Sequence, residues 1–300
     1  MTGEILVEFG INVLSMGSLY ALIALGLVFV FGICQMVNFA YGEFITASAY
    51  TLWAVGVYTS LPWPLVFVIG ILAGVAVAYL CELIAFRPFR GRSLEALLVT
   101  SFAVSVILQR SFQLGINPRS KAVPIPAFIN ENIHLLGVTT PLRNVLIVAV
   151  TAALLIVLVL LMKKTTLGVA LRGASENFSI ARLMGVPANL VISVAFVISG
   201  LLAGVVAIFW SARTGSTEPL MGSGPLLIGF IAVVIGGMHS LPGSVIGGFV
   251  YALVANILSL TLPSTLLSYR DAIMFAVVIA FLVLRPEGLI RGKYQEERVG

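Results

Sequence analysis

Stretches of about 20 mainly apolar residues, the length a helix needs to cross the ~30 Å hydrocarbon core of a bilayer, recur along this chain. They fall at 11–33, from after Asn38 to about 60, and at 65–86, 94–114, 142–162 and 189–210, with a shorter one at 270–284. A further apolar stretch, 225–262, is broken by Gly236-Gly237-Met238-His239-Ser240-Leu241-Pro242-Gly243. Its first arm is about 14 residues, short for a full span. In a soluble domain so many apolar runs would have to face water. In lipid they can face outward as well as inward, so the expected fold is an all-α polytopic transmembrane helix bundle forming one domain over 1–300.

Composition agrees. Of 300 residues, 60% are hydrophobic and 10% charged, against about 45–50% and about 25% in soluble domains. The net charge of +5 is not a nucleic-acid footprint, because the basic residues cluster in short segments between apolar ones. Cys34 and Cys81 lie in or beside apolar stretches with no CxxC or Cys/His spacing, which excludes a zinc-site pattern and a disulfide framework. Residues 1–10 hold Glu4 and Glu8 and no Lys or Arg, so a cleavable signal peptide is not expected.

The basic segments 87–92, 163–182 and 285–298 are expected on the cytoplasmic side. Three spans then precede the first, which places the N-terminus outside and the C-terminus inside. Between the second segment and the tail, helix 189–210, the two interrupted arms and the last helix supply the even number of crossings needed. The expectation is nine membrane segments, or eight if one arm is a half-helix. The pairs Gly70–Gly74, Gly200–Gly204 and Gly243–Gly247 are GxxxG spacings that let helix backbones approach closely in lipid.

Enzymatic signatures are missing. Residues 288–294 lack the spacing and the Ser/Thr of a phosphate-binding loop, and no zinc-protease or nucleophile-elbow motif occurs. No cofactor is expected in this chain. Charges inside apolar stretches are few. Glu43 admits two readings: a pathway or gate acid, or a first-turn acid favoured by the helix dipole. A carboxylate in hydrocarbon costs at least about 2.5–3.5 kcal/mol. Glu82 and Arg110 read as helix-end residues reaching toward the interface. The segment 171–186 predicts a short amphipathic helix, with Ser175 or Asn177 as its cap. Ile180, Leu183 and Met184 form one apolar face, and Gly185 is the left-handed exit.

Four motifs carry a resemblance. Gly26 to Gly32 followed by Val37-Asn38-Phe39-Ala40-Tyr41-Gly42-Glu43-Phe44 resembles the first-half signature of the branched-chain amino-acid ABC permeases, with Tyr41 where that family usually has His. The stretch Arg172 to Gly185 is similar to the family's coupling loop. Phe230 to Gly237 through Leu241 to Gly248 is similar to its second-half signature. The stretch Arg285-Pro286-Glu287-Gly288-Leu289, preceded by Tyr269-Arg270-Asp271, resembles its closing segment. The resemblance implies a type II-like importer permease in a bacterial inner membrane. It implies a second homologous permease, two cytoplasmic ATPases that use ATP, and a periplasmic solute-binding protein. Relatives of this kind also move urea, short amides or aromatic acids. An ion-coupled secondary transporter would show more embedded acids than Glu43.

Three sets of site residues follow. Asn38, Tyr41, Gly42, Glu43, Gly236, Gly237 and His239 are expected along a translocation path, because non-helical backbone at membrane depth needs protein or water around it. Arg172, Glu176, Ala181, Arg182, Leu183 and Gly185 are expected to couple to the ATPase. Arg119, Lys121, Arg213 and Arg270 are expected to face the binding protein.

Overall fold

The computed structural model describes residues 2–290 except 91, 136, 177 and 287. Helix α1, Thr2–Cys34, has 33 residues, about 50 Å at 1.5 Å per residue. It begins nine residues before its apolar stretch, because nothing at 2–10 breaks a helix. Gln35 ends it at a φ of 55°. Helix α2 is Tyr41–Tyr58. Pro62 and Pro64 open α3, Trp63–Cys81, which continues as a π-turn at Glu82–Phe86 and a 3₁₀ turn at Arg87–Phe89. Helix α4, Leu94–Gly115, starts where the Ser93 hydroxyl accepts the Ala96 amide at 3.4 Å.

After α4 the chain forms β1 (Lys121–Ala122), β2 (Asn132–Leu135) and β3 (Val138–Pro141). Then come α5 (Leu142–Lys164), α6 (Thr166–Glu176), α7 (Phe178–Leu183) and α8 (Ala188–Thr214). They are followed by β4 (Ser216–Thr217), α9 (Ser223–Gly236), α10 (Leu241–Thr261) and α11 (Arg270–Leu284). β2 and β3 form a hairpin, and β1 pairs antiparallel with β4. Among the described residues these short strands depart from an all-helical chain. They lie in the polar connections, where apolar periodicity carries no signal.

The described helices α1, α3, α4, α5, α8 and α10 are long and apolar enough to cross a membrane. That is fewer than eight or nine for physical reasons. Helix α2 carries Glu43, Thr46 and Ser48 in its buried stretch, while α9 has 14 residues and α11 has 15.

Helix α1 is the centre of the core, buried without interruption from Leu19 to Val30, with Gly26 against the Tyr41 ring. Helix α10 runs antiparallel to it: Gly17 meets Phe249, the Tyr20 and Tyr251 rings lie 5.3 Å apart, and Phe31 meets His239, also at 5.3 Å. Helix α9 packs Gly229 against Ile23 and Leu27. Helices α3 and α8 cross on glycine, where a Cβ on Gly74 would sit 2.8 Å from the Gly200 carbonyl oxygen. All three GxxxG pairs therefore lie at helix contacts. Gly70 meets Leu52, Gly204 meets Ile71, Gly243 meets Gly236 and Gly247 meets Ala232.

These crossings sort the connections into two ends. One end gathers both chain breaks, the loop after α3, helices α6 and α7, and residues 288–290. The other gathers β1 and β4.

Candidate translocation and coupling sites

The first break is closed by its own side chain. Asn38 Oδ1 accepts the Ala40 amide at 3.0 Å, as expected of an amide beside freed backbone. Glu43 is 1% exposed, and its carboxylate does not cap α2. Instead its Oε1 accepts from Gln109 Nε2 at 2.8 Å and Ser105 Oγ at 3.2 Å, both on α4. One turn away Ser101 Oγ donates to the Val37 carbonyl and accepts the Phe39 amide, each at 3.4 Å. Ser101, Ser105 and Gln109 stand at i, i+4 and i+8, so one face of α4 binds the whole break. Sequence reading missed them, although three polar residues at that spacing in an apolar helix are a visible signal.

Tyr41 is fully enclosed, its ring lying against Gly26. Gly42 meets Gly222, and Thr46 Oγ1 accepts the Gly222 amide at 3.0 Å, stitching α2 to the entry of α9. The side chains of Asn38, Tyr41 and Glu43 are thus packed within the subunit rather than opening onto a cavity. Helices α1 and α4 and the chain before α9 close over them.

The second break forms where Gly237, at a φ of 109°, ends α9, and Ser240 Oγ accepts the Gly243 amide at 3.0 Å to start α10. Gly236 packs backbone to backbone on Gly243. Residues 288–290 fold back on this turn: the Leu289 amide donates to the Ile235 carbonyl at 2.8 Å and the Ile290 amide to that of Gly236 at 3.1 Å. The two breaks meet at a crevice whose walls include Phe31, Val37 and Met238.

The expected coupling residues divide. Arg172 and Glu176, on α6, line a cavity that also holds His239. Ala181 is buried, while Arg182 and Gly185 are exposed and Leu183 is 87% exposed. The Gly185 amide donates to Arg182 O and the Val186 amide to Ala181 O, both at 3.1 Å. With Gly185 at a φ of 85°, this is the paired Schellman closure of a helix end. Ser175 is not a cap for α7: its hydroxyl donates back to Arg172 O at 2.8 Å inside α6. Asn177, the other expected cap, lies outside the described residues.

Glu82 is fully buried, not reaching toward an interface. It pairs with Arg90 and accepts from Ser193 Oγ at 2.9 Å, while Arg90 also bonds Asn189. The basic loop is thereby clamped to the first turns of α8, directly after the α6–α7 segment. Arg110 donates to Gln113 at 2.8 Å on the surface.

At the opposite end Lys121 lies over the Trp53 ring, 5.3 Å from its centroid. The β1–β4 pairing sets Lys121 opposite Thr217, and the Val123 amide donates to the carbonyl of Gly215, two residues after Arg213, at 3.0 Å. Arg119 is exposed beside β1. Arg270 sits apart, bonded to Ser259 and Asp271 at 3.2–3.3 Å. Among the described residues no three His, Cys, Asp or Glu side chains gather as a metal site.

Long apolar helices that pack on glycine crossings and are interrupted by two breaks define a multi-pass membrane protein of the permease class. The chain belongs to the family described as branched-chain amino acid transport system / permease component, whose model matches residues 10–282. It is 32% identical to the high-affinity branched-chain amino acid transport system permease protein BraD of Pseudomonas aeruginosa, over 96% of each chain. It is 31% identical to the corresponding LivH proteins of Salmonella typhimurium and Escherichia coli, again over 96% of each. It is accordingly a transport permease and not an enzyme.

Proposed function

We propose that this chain is a membrane subunit of a type II-like ABC importer that admits branched-chain amino acids. The observation that carries the reading is similarity to BraD over 96% of both chains, with no large insertion to signal a different assembly. On this reading ATP is used by two cytoplasmic ATPases. A periplasmic binding protein delivers the solute, and a second homologous permease supplies the other half of the path.

Nine crossings of a bacterial inner membrane are proposed. The chain from β4 through α9 counts as one: it passes through turns at 219–222, stitched to Thr46, and finishes as a 14-residue helix. The end holding both breaks and the basic segments is assigned to the cytoplasm by the positive-inside rule, which leaves the N-terminus periplasmic. Exposed Leu183 and Met184 on the α7 end, with Arg182, then face the ATPase, and Arg119, Lys121, Arg213 and Arg270 face the binding protein. The two breaks act as the inner gate by their positions, moving as packed units instead of lining the path in this conformation.

The test is reconstitution of the four-subunit membrane complex in proteoliposomes with ATP inside and binding protein outside. Uptake of radiolabelled leucine that needs both is expected. ATP-dependent uptake of urea or an aromatic acid, with none of leucine, would overturn the substrate. Uptake driven by an ion gradient without ATP would overturn the class.

A further inference from the structure

A cavity of about 770 Å³ lies over α1 at the end holding the two breaks. Val28, Phe29 and Gly32 of α1 form its floor, and Leu155 and Met162 of α5 face Val245 of α10 across it. Along α5 it extends from Leu155 to Lys163, about 12 Å of helix rise. It opens sideways, since Val159 on one rim and Ile246 on the other are exposed. Its charged groups all sit at one end. Lys163 and Arg172 are cationic there, Glu176 is the one acid, and His239 stands beside them. Nη1 of Arg172 is buried and has no hydrogen-bond partner among the described residues.

An open apolar slot in the membrane region, headed by two cations against one acid, suits an amphiphile with an anionic head. A buried guanidinium N–H without an acceptor is costly, and a phosphate oxygen answers it with a charge-assisted bond. Basic pockets between helices at the cytoplasmic face are the places where anionic headgroups are held. We infer that the slot holds one phospholipid of net negative charge. Its phosphate lies against Arg172 and Lys163, and an acyl chain runs along the floor past Gly32. Glu176 at the mouth disfavours a second anion. The site lies between α5 and α6, so lipid occupancy bears on how the α6–α7 segment is held against the bundle.

The experiment uses the full chain in nanodiscs of phosphatidylcholine with one lipid in ten phosphatidylglycerol, followed by mass spectrometry of lipid retained after transfer to detergent. Enrichment of phosphatidylglycerol over its bulk share by about tenfold is expected, the worth of one charge-assisted hydrogen bond. Arg172→Gln should return the ratio to bulk, and Lys163→Gln, at an exposed position, should lower it partway with the fold undisturbed. A Cβ on Gly32 meets nothing within 4 Å, so Gly32→Phe fills the slot and should abolish retention of any headgroup. Bulk-ratio retention by the unaltered chain would overturn the inference, as would enrichment untouched by all three changes. Equal enrichment of phosphatidylethanolamine would overturn the net charge. Cross-linking of Val159→Cys to a second permease chain would show the slot to be a subunit contact instead.

Discussion

Replacing Arg90 by methionine isolates what the loop clamp does. The change keeps an unbranched apolar stem and removes the guanidinium that bridges Glu82 and Asn189. Glu82 has no exposed surface, whereas the Arg90 side chain is 19% exposed. After the change the Glu82 carboxylate keeps only the Ser193 hydroxyl at 2.9 Å. Orphaning one member of a buried pair costs about 3–5 kcal/mol, and the lower end applies here because one partner reaches solvent. At ~2–4 °C per kcal/mol for a chain of this size, the midpoint should fall by on the order of 10 °C. Glu82→Gln should cost much less, because Arg90 can turn to water and the amide still accepts from Ser193. In the double variant the orphaned charge is gone, so about 1–3 kcal/mol should be recovered relative to the sum of the singles. Thermal denaturation of the four proteins in one detergent, read by loss of the monodisperse peak, measures this. Equal losses from the two single changes, or strict additivity, would refute the claim that a buried ion pair holds the basic loop to α8.

Gly185→Val should strain the left-handed exit by about 1–2 kcal/mol, reducing transport while membrane insertion persists. Unchanged solute-stimulated ATPase activity in that variant would count against coupling through α7. Single cysteines at Leu183 and Tyr41 should differ sharply toward a membrane-impermeant thiol reagent applied from the cytoplasmic face. The first should label at once and the second only if driven transport opens the break, so immediate labelling at Tyr41 would contradict its enclosure. Reversing charge at Arg119 and Lys121 together should weaken docking of the binding protein at low salt by several-fold and little at high salt; surface plasmon resonance at two ionic strengths decides it.

The helices were readable wherever a long apolar run ended at a charge or a proline. Leu94, Leu142 and Arg270 start helices where the pattern changes, and Lys163-Lys164 closes α5. Periodicity could not find the start of α1, because polar residues at 2–10 continue a helix without marking it. The packing glycines were visible as spacings, but their partners were not: Gly74 meets Gly200 only through the tertiary crossing of α3 on α8. The same limit applies to the sites. Asn38 and Glu43 stood out as polar residues at a break, yet their burial depends on Ser105 and Gln109, more than 60 residues on. The burial of Glu82 is not legible in the sequence, because Ser193, its second donor, lies 111 positions away. Arg172 and Arg182 look alike in one amphipathic segment, but the first lines a cavity from α6 while the second is exposed on α7.

The return of residues 288–290 onto the end of α9 also governs how the molecule comes into being. The carbonyls of Ile235 and Gly236 wait for amides at Leu289 and Ile290, which leave the ribosome more than fifty residues later. Until then the second break is an unfinished turn with two unanswered acceptors at the membrane edge. Helix α1, made well before α9 and α10, likewise waits for them to cover it. Assembly is therefore decided late in synthesis. A chain stopped before Leu289 leaves both acceptors, and the turn they close, open.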